Sequence, residues 1–404
     1  MTSAPALPTA AATRAAEAFE LPGPADSVER YGSGHINDTF LVTCRTPGGE
    51  ARVVLQRVNG TVFPEPEKVQ QNVARVTAHL ARRLEEEGFG DRDRRVLTFL
   101  PARDGPGWHV DAEGSLWRAY RFVGGARSHD VAAGPFEARA AARAFATFAR
   151  LLDDLPAPRL HETIPAFHDT RRRLERLEEA VRRDPRGRAS GARGTVDAYL
   201  ARERYARVLG DALAAGRLHE RVAHNDTKLN NVLLDDVTGE GICVIDLDTV
   251  MPGLLLHDFG DLVRTAATTA AEDEEDLARV GVDAALFGAL VEGTVQGLDG
   301  GLSPFERESL PLAGRVITFE TGIRFLTDHL LGDVYFRIHR PGHNLARARS
   351  QLALLLSLEE RDAELAAAAE RVLGGRAIPA ASRRAGRDTT GEGAPSAPSP
   401  ARPA

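Results

Sequence analysis

Between positions 224 and 231 the chain reads His-Asn-Asp-Thr-Lys-Leu-Asn-Asn, and Asp246 follows a short apolar run further on. These residue types suit phosphoryl transfer. A carboxylate such as Asp226 can take the proton of an attacking hydroxyl, while the Lys228 ammonium two residues later offsets charge on the transferred group. An amide oxygen at Asn231 and a carboxylate at Asp246 are hard donors of the kind Mg²⁺ accepts, the cation keeping its remaining positions for water and phosphate oxygens.

Those side chains need a frame, and the residues between them supply one. Positions 232–234 and 242–245 read as two short apolar strands, separated by a turn that contains Asp235, Asp236, Gly239 and Gly241. If residues equidistant from the turn face each other, Leu234 meets Ile242 and Asn231 meets Ile245, which sets Asp246 beside Asn231 at the open end of the hairpin. His224 is read as a ring that orders the loop, because His219 upstream offers no carboxylate at zinc-site spacing. Asp258 and Asp261 are read as caps or loop anchors.

The set His224-x-Asp226-x-x-x-x-Asn231 followed by Asp246 resembles the catalytic loop and metal-binding aspartate of the protein-kinase-like fold. Asp246 precedes Leu247-Asp248 instead of Phe-Gly, and no long segment ending in Ala-Pro-Glu follows. With His257-Asp258-Phe259-Gly260-Asp261-Leu262 downstream, the chain is more similar to the aminoglycoside phosphotransferase branch, whose members act on small molecules. The fold class expected is therefore α+β, a two-lobed protein-kinase-like fold with a small antiparallel-sheet N-lobe and a larger, mainly helical C-lobe.

The rest of the chain divides accordingly. Strand-like runs at 39–42, 53–55, 96–99 and 116–122, with a helix over 66–87, predict an N-lobe over 19–122. Helical patterns at 135–152, 166–183, 196–215, 283–293, 304–331 and 345–373 predict a C-lobe over 123–375. The weakly patterned stretch 1–18 and the Pro/Ser/Gly/Arg-rich stretch 376–404 read as disordered tails. The arginines between 171 and 188 alternate with Glu175, Glu178, Glu179 and Asp184, which reads as a solvated face.

On the nucleotide side, Gly32, Ser33 and Gly34 precede the first clear strand, where backbone amides could approach the phosphates of ATP. Kinases carry a phosphate-binding lysine one strand later; this chain has none there, and Arg57 is the candidate replacement, with Glu67 as a conceivable helix partner. Tyr120 to Val123, ahead of Gly124-Gly125, would supply the backbone that meets adenine. ATP and Mg²⁺ are the expected cofactors.

Further stretches resemble the N-acetylhexosamine 1-kinases of this superfamily: 32–40, 55–59, 224–235, 245–253, 319–328, 332–336 and 340–345. That resemblance implies phosphorylation of the anomeric hydroxyl of an N-acetylhexosamine, with Arg324 and Tyr335 at sugar-contacting positions. Read from pattern alone, Glu320, Arg324 and Asp328 form either a polar stripe toward an acceptor or an ion-pair ladder contributing about 0.2–0.5 kcal/mol per pair. Another acceptor on the same fold, such as an aminoglycoside, choline, homoserine or a different sugar, or a non-catalytic nucleotide-binding module, stays open at this point.

Composition narrows the partners. Fifty-one basic residues against 58 acidic ones leave a net charge of −7, which offers nothing to nucleic acid or an anionic membrane. Cys44 and Cys243 lie in apolar runs without metal-type spacing. With no long apolar segment and no signal-like start, a cytoplasmic location and no obligate protein partner are expected.

Overall fold

The computed structural model describes residues 9–32, 36–105 and 107–374. After helix α1 (Thr9–Ala16), the first lobe runs through β1 (Ala25–Arg30), β2 (Asp38–Thr46), β3 (Gly49–Arg57), α2 (Pro66–Glu86), the single turn α3 (Arg92–Arg95), β4 (His109–Val110) and β5 (Leu116–Arg121). The strands form one antiparallel sheet in the order β1-β2-β3-β5-β4.

Strand alternation gives this sheet two faces. Phe40, Val42, Cys44, Val53, Leu55, Trp117 and Ala119 share one core, which Ala12, Ala15, Ala16 and Phe19 close from outside. Gln56, Arg118 and Tyr120 alternate to the opposite face, toward the second lobe. Residues 9–16 were expected within a tail and instead form a packed helix. Small alanines at helical spacing let α1 lie close over Trp117, and such a run lacks the large apolar residues that make a helix legible in sequence. Glu17 and Ala18 continue from it as a turn, and the remaining tail positions, 1–8 and 376–404, lie outside the described residues.

The run 96–99 is not a strand. It meets the sheet through a single bridge, Phe99 to Tyr120, and through hydrogen bonds from Leu100 N to Ala119 O (2.8 Å) and Arg121 N to Thr98 O (2.9 Å).

The second lobe contains β6 (Ala126–Arg127), α4 (Pro135–Leu152), α5 (Thr170–Arg183), α6 (Arg193–Leu200), α7 (Val208–Ala214), β7 (Arg221–Ala223), β8 (Val232–Asp235), β9 (Gly241–Val244) and β10 (Met251–Gly253). It continues through α8 (Leu255–Ala266), α9 (Ala284–Leu298), α10 (Pro304–Leu331), α11 (His343–Glu360) and α12 (Asp362–Gly374). Helix α10 starts at a Ser303–Glu306 capping box with Pro304 in its first turn and ends at Gly332, whose φ of 106° suits only glycine well. The helix expected over 196–215 is broken by a 3₁₀ turn at Glu203–Ala206, and that over 345–373 is broken at Arg361.

Helix α8 passes behind the functional loop and is buried almost all round. Gly260 lets it close on α10, since a Cβ there would stand 2.5 Å from the Ala313 carbonyl oxygen. Truncating Phe19 to alanine should destabilise the first lobe by about 3–5 kcal/mol through the cavity left beneath α1. Urea unfolding followed by Trp fluorescence measures this, and a change below about 1 kcal/mol would show that α1 is not part of the lobe's core.

Candidate active site

The loop between β7 and β8 is held from below by α8. Asp258 accepts the backbone N–H groups of His224 (2.9 Å) and Asn225 (2.7 Å), and Thr227 donates its hydroxyl to the Asp258 carbonyl. Asn225 adopts a left-handed conformation (φ 63°), which an asparagine tolerates, and its amide reaches the carbonyls of Ala223 and Thr249. Buried His224 donates Nε2–H to the Ile245 carbonyl at 3.0 Å and packs edge-on against Phe145 and Phe148. It therefore orders the loop.

The hairpin meets that loop at one residue. β8 and β9 pair Val232 with Val244 and Leu233 with Cys243, then a bulge shifts Leu234 onto Gly241 instead of Ile242. At the open end Ile245 N donates to Asn231 O at 2.9 Å. Ile245 is thus pinned by both ends of the loop, its carbonyl by His224 and its amide by Asn231. Asp246 follows at once in a left-handed turn (φ 58°).

Asp226 is about one-fifth exposed and receives Lys228 Nζ at 2.9 Å on Oδ1 and Asn231 Nδ2 at 3.0 Å on Oδ2. Burial works against its ionisation, yet the Lys228 charge, with His224 and Arg264 behind it, keeps its carboxyl below the ordinary range. Asp246 moves the other way: burial, then repulsion from Asp248 and Asp226, pushes it up to about 6. This donor set fits a hard divalent cation. The Asn231 amide nitrogen is committed to Asp226, which leaves its carbonyl oxygen as a donor, and the crowded carboxylates have a repulsion that a cation would relieve.

Asp248 joins the lobes. It forms a buried ion pair with Arg118 of β5 and accepts Asn37 Nδ2 at 2.7 Å, while Thr163 donates to its carbonyl at 2.9 Å. Arg118 also donates Nε and Nη2 to Gln56 Oε1 at 2.9 and 2.7 Å. Gln56 and Arg118 face each other across β3 and β5, so the cation that reaches Asp248 comes from β5, the neighbouring strand.

Arg57, proposed from sequence as the phosphate-binding cation, is not brought to this group. One residue after Gln56, it alternates to the face shared with Leu55 and pairs with Asp38 there, Nε standing 3.0 Å from Oδ2. Arg118 was missed because it follows Trp117 in a run that reads as an ordinary strand. A charged residue inside that run was the available signal.

Gly32 turns with φ 77° between β1 and β2, at the mouth of the cleft; Ser33 and Gly34 lie outside the described residues. Tyr120 ends the cleft-facing row of β5 with its ring on Phe99 (5.3 Å between centroids), and burial raises its pKa. Val123 is buried where the chain crosses to the second lobe. Arg94 clamps that crossing, donating to Gly124 O (3.1 Å), Gly125 O (2.8 Å) and Asp235 (2.8 Å).

On the other side of the loop, the stripe on α10 is neither an ion-pair ladder nor uniformly available. Glu320 accepts His168 Nδ1 (2.8 Å) and Thr170 Oγ1 (2.6 Å), and His168 Nε2 lies 3.2 Å from the Asn225 carbonyl. Asp328 accepts the backbone amides of Val334, Tyr335 and Phe336 (2.9, 2.8 and 2.9 Å), which shapes the turn after α10. Arg324 lies over the rings of Phe167 (5.0 Å), Phe336 (5.5 Å) and half-exposed Tyr335 (5.9 Å), so Arg324 and Tyr335 do come together.

A two-lobed kinase-like fold with this loop and hairpin defines a phosphotransferase class, and comparison with known proteins agrees. Residues 27–290 match the model of the family described as "Phosphotransferase enzyme family" (APH), and the chain belongs to that family. Among solved structures it is similar to a microcompartment-associated aminopropanol kinase (17% identity, TM-score 0.53, covering 89% of this chain and 99% of the other). It is also similar to an aminoglycoside phosphotransferase from Alicyclobacillus acidocaldarius subsp. acidocaldarius DSM 446 (15% identity, TM-score 0.53, covering 92% and 98%). At these identities the likeness shows the fold. Among the described residues no helix is long and apolar enough to cross a membrane.

Two expectations follow from the charges. Arg118→Ala would leave Asp248 buried without its partner and should cost about 3–5 kcal/mol, read by chemical denaturation, against little change for Arg57→Ala. Burial opposes ionisation of Glu320, yet His168 lowers its carboxyl from 4.5 to about 2. A depressed folded pKa contributes stability that is complete above the unfolded value and lost as pH falls through the folded one. The wild type should therefore lose up to about 3 kcal/mol from this group between pH ~4.5 and ~2. Glu320→Gln should flatten that part of the stability profile, and an unchanged slope would refute the assignment.

Proposed function

We propose that the protein transfers the γ-phosphoryl group of ATP to a hydroxyl of a small molecule, and that the acceptor is the anomeric hydroxyl of an N-acetylhexosamine. The observation that carries the reaction class is Asp226: a part-exposed carboxylate, kept ionised by Lys228 and aimed by Asn231. In this reading Asp226 accepts the hydroxyl proton as the oxygen attacks, and Lys228 turns from Asp226 toward the phosphoryl oxygens as charge accumulates there. Asn231 and Asp246 would hold Mg²⁺, which when bound offsets charge on the nucleotide phosphates.

The backbone from Tyr120 to Val123 is suited to adenine because Arg94 and the α2 core hold that crossing still. The β1–β2 connection at Gly32 would cover the phosphates. Arg118 positions Asp246 through Asp248, in place of the cation expected at Arg57. Positioning and charge compensation supply most of the rate in such a reaction.

The sugar acceptor is supported by the resemblance of 319–328 and 332–336 to N-acetylhexosamine 1-kinases and by the meeting of Arg324 with Tyr335. Asp226→Asn should lower turnover by about 10³-fold or more while leaving ATP affinity within a few-fold. The measurements are ADP release with N-acetylglucosamine or N-acetylgalactosamine and nucleotide binding by calorimetry. Near-wild-type turnover in this variant would sink the mechanism. An absence of ADP release with both sugars, but not with an amino alcohol, would move the acceptor elsewhere.

A further inference from the structure

Beside the β7–β8 loop, two arginines form no ion pair among the described residues. Among the described residues Arg173 of α5 donates only to backbone carbonyls, to Phe167 O from Nε (3.3 Å) and Nη2 (2.9 Å) and to Ala166 O from Nη2 (3.3 Å). Arg324 of α10 makes no hydrogen bond or ion pair among the described residues and rests against the rings of Phe167, Tyr335 and Phe336. Both guanidinium groups thus reach Phe167, one at its carbonyl and the other at its ring. Burial, then repulsion from Arg324, pushes Arg173 down to about 10.

Among the described residues no carboxylate forms an ion pair with either guanidinium. Glu320 on α10 is the nearby carboxylate, and both its oxygens are taken by His168 and Thr170. Burial opposes protonation of His168, yet Glu320 raises its pKa; Glu320 also acts through space on both arginines, but its hydrogen bonds go to His168 and Thr170. Arg176 on α5 adds positive charge to the neighbourhood. Asp328 is committed to the amides of residues 334–336.

Part-buried arginines are ordinarily paired, and a guanidinium fork matches carboxylate and phosphate oxygens. The pair also borders the chemistry, because His168, next to Phe167, touches the Asn225 carbonyl. Half-exposed Tyr335 leaves the place open to solvent.

We propose that the acceptor carries an oxyanion, a carboxylate or a phosphate monoester, seated between Arg173 and Arg324 with the adjoining apolar part of the molecule against Phe167 and Tyr335. This rests on the hexosamine reading above and makes the acceptor an acidic N-acetylhexosamine. A neutral hydroxyl satisfies one arginine and leaves two like charges facing each other, whereas an amine-bearing acceptor adds a third.

Calorimetry on the full chain with four ligands of one ring frame tests it: N-acetylglucosamine, N-acetylmuramic acid (carboxylate), N-acetylglucosamine 6-phosphate (phosphate) and glucosamine (cation). One acidic sugar is expected to bind at least about tenfold more tightly than N-acetylglucosamine, with glucosamine weakest. Added salt should shrink that advantage. Which acid wins tells carboxylate from phosphate. Arg173→Gln and Arg324→Gln should each bring the acidic-to-neutral ratio toward one, while the lysine variants keep part of it.

Equal binding of neutral and acidic sugars by the wild type overturns the proposal, as does an advantage that survives both glutamine variants. Equal losses for every sugar in those variants also overturn it, since the pair would then touch the ring frame common to all four and not an oxyanion. ADP release is a separate reading. An acidic sugar that binds tightly without turnover upholds the anion site and refutes the hexosamine kinase, whereas turnover of the neutral sugar without acidic preference does the reverse.

Discussion

The buried pair between Arg118 and Asp248 is the constraint on which the cleft depends. Arg118 belongs to the sheet of the first lobe, and Asp248 lies two residues after Asp246 in the second. Because both are almost fully buried, neither charge can be left unpaired without a large desolvation cost, so the lobes are held in one relation at this point. Asn37, at the end of the β1–β2 connection, reaches the same carboxylate. One aspartate thereby ties Asn37 ahead of β2, the middle of the sheet and the turn bearing Asp246.

A second set of constraints acts from the opposite side. Asp258 takes two successive amides of the β7–β8 loop, and α8 can lie close enough to do so because Gly260 removes a side chain from the α8–α10 contact. Polar groups that would be costly to bury bare are thus satisfied by one carboxylate, which also fixes the strained turn at Asn225. His224 and Asn231 then grip Ile245 from either side. The loop and the hairpin thus position each other.

The helical side of the cleft follows a different logic. Glu320 and Asp328, two carboxylates of the α10 stripe, are structural: one holds His168 and Thr170, the other gathers the amides of a turn. Between them Arg324, unpaired among the described residues, lies against aromatic rings, with Arg173 approaching from α5. Where a fold usually pairs its buried charges, such a place has the character of a binding surface.

Local pattern made much of this legible. The spacing from His224 to Asn231, a turn-forming segment and Asp246 were enough to anticipate the loop, the hairpin and the Asn231–Ile245 pairing, because a hairpin's register follows from where its turn lies. Helices α4 and α10 ran to their expected ends, since Pro135, the Ser303–Glu306 box and Gly332 are local signals. Tertiary contacts decided the rest. Strand alternation turned Arg57 away from the cleft and left Arg118 to meet Asp248, a partner 130 residues distant in sequence. Packing over Trp117 made a helix of residues 9–16, and the partners of Glu320, Arg324 and Asp328 came from other elements instead of from one another. Short-range order is encoded within a few residues, whereas the partner of a buried charge is chosen by whichever distant segment the fold brings against it.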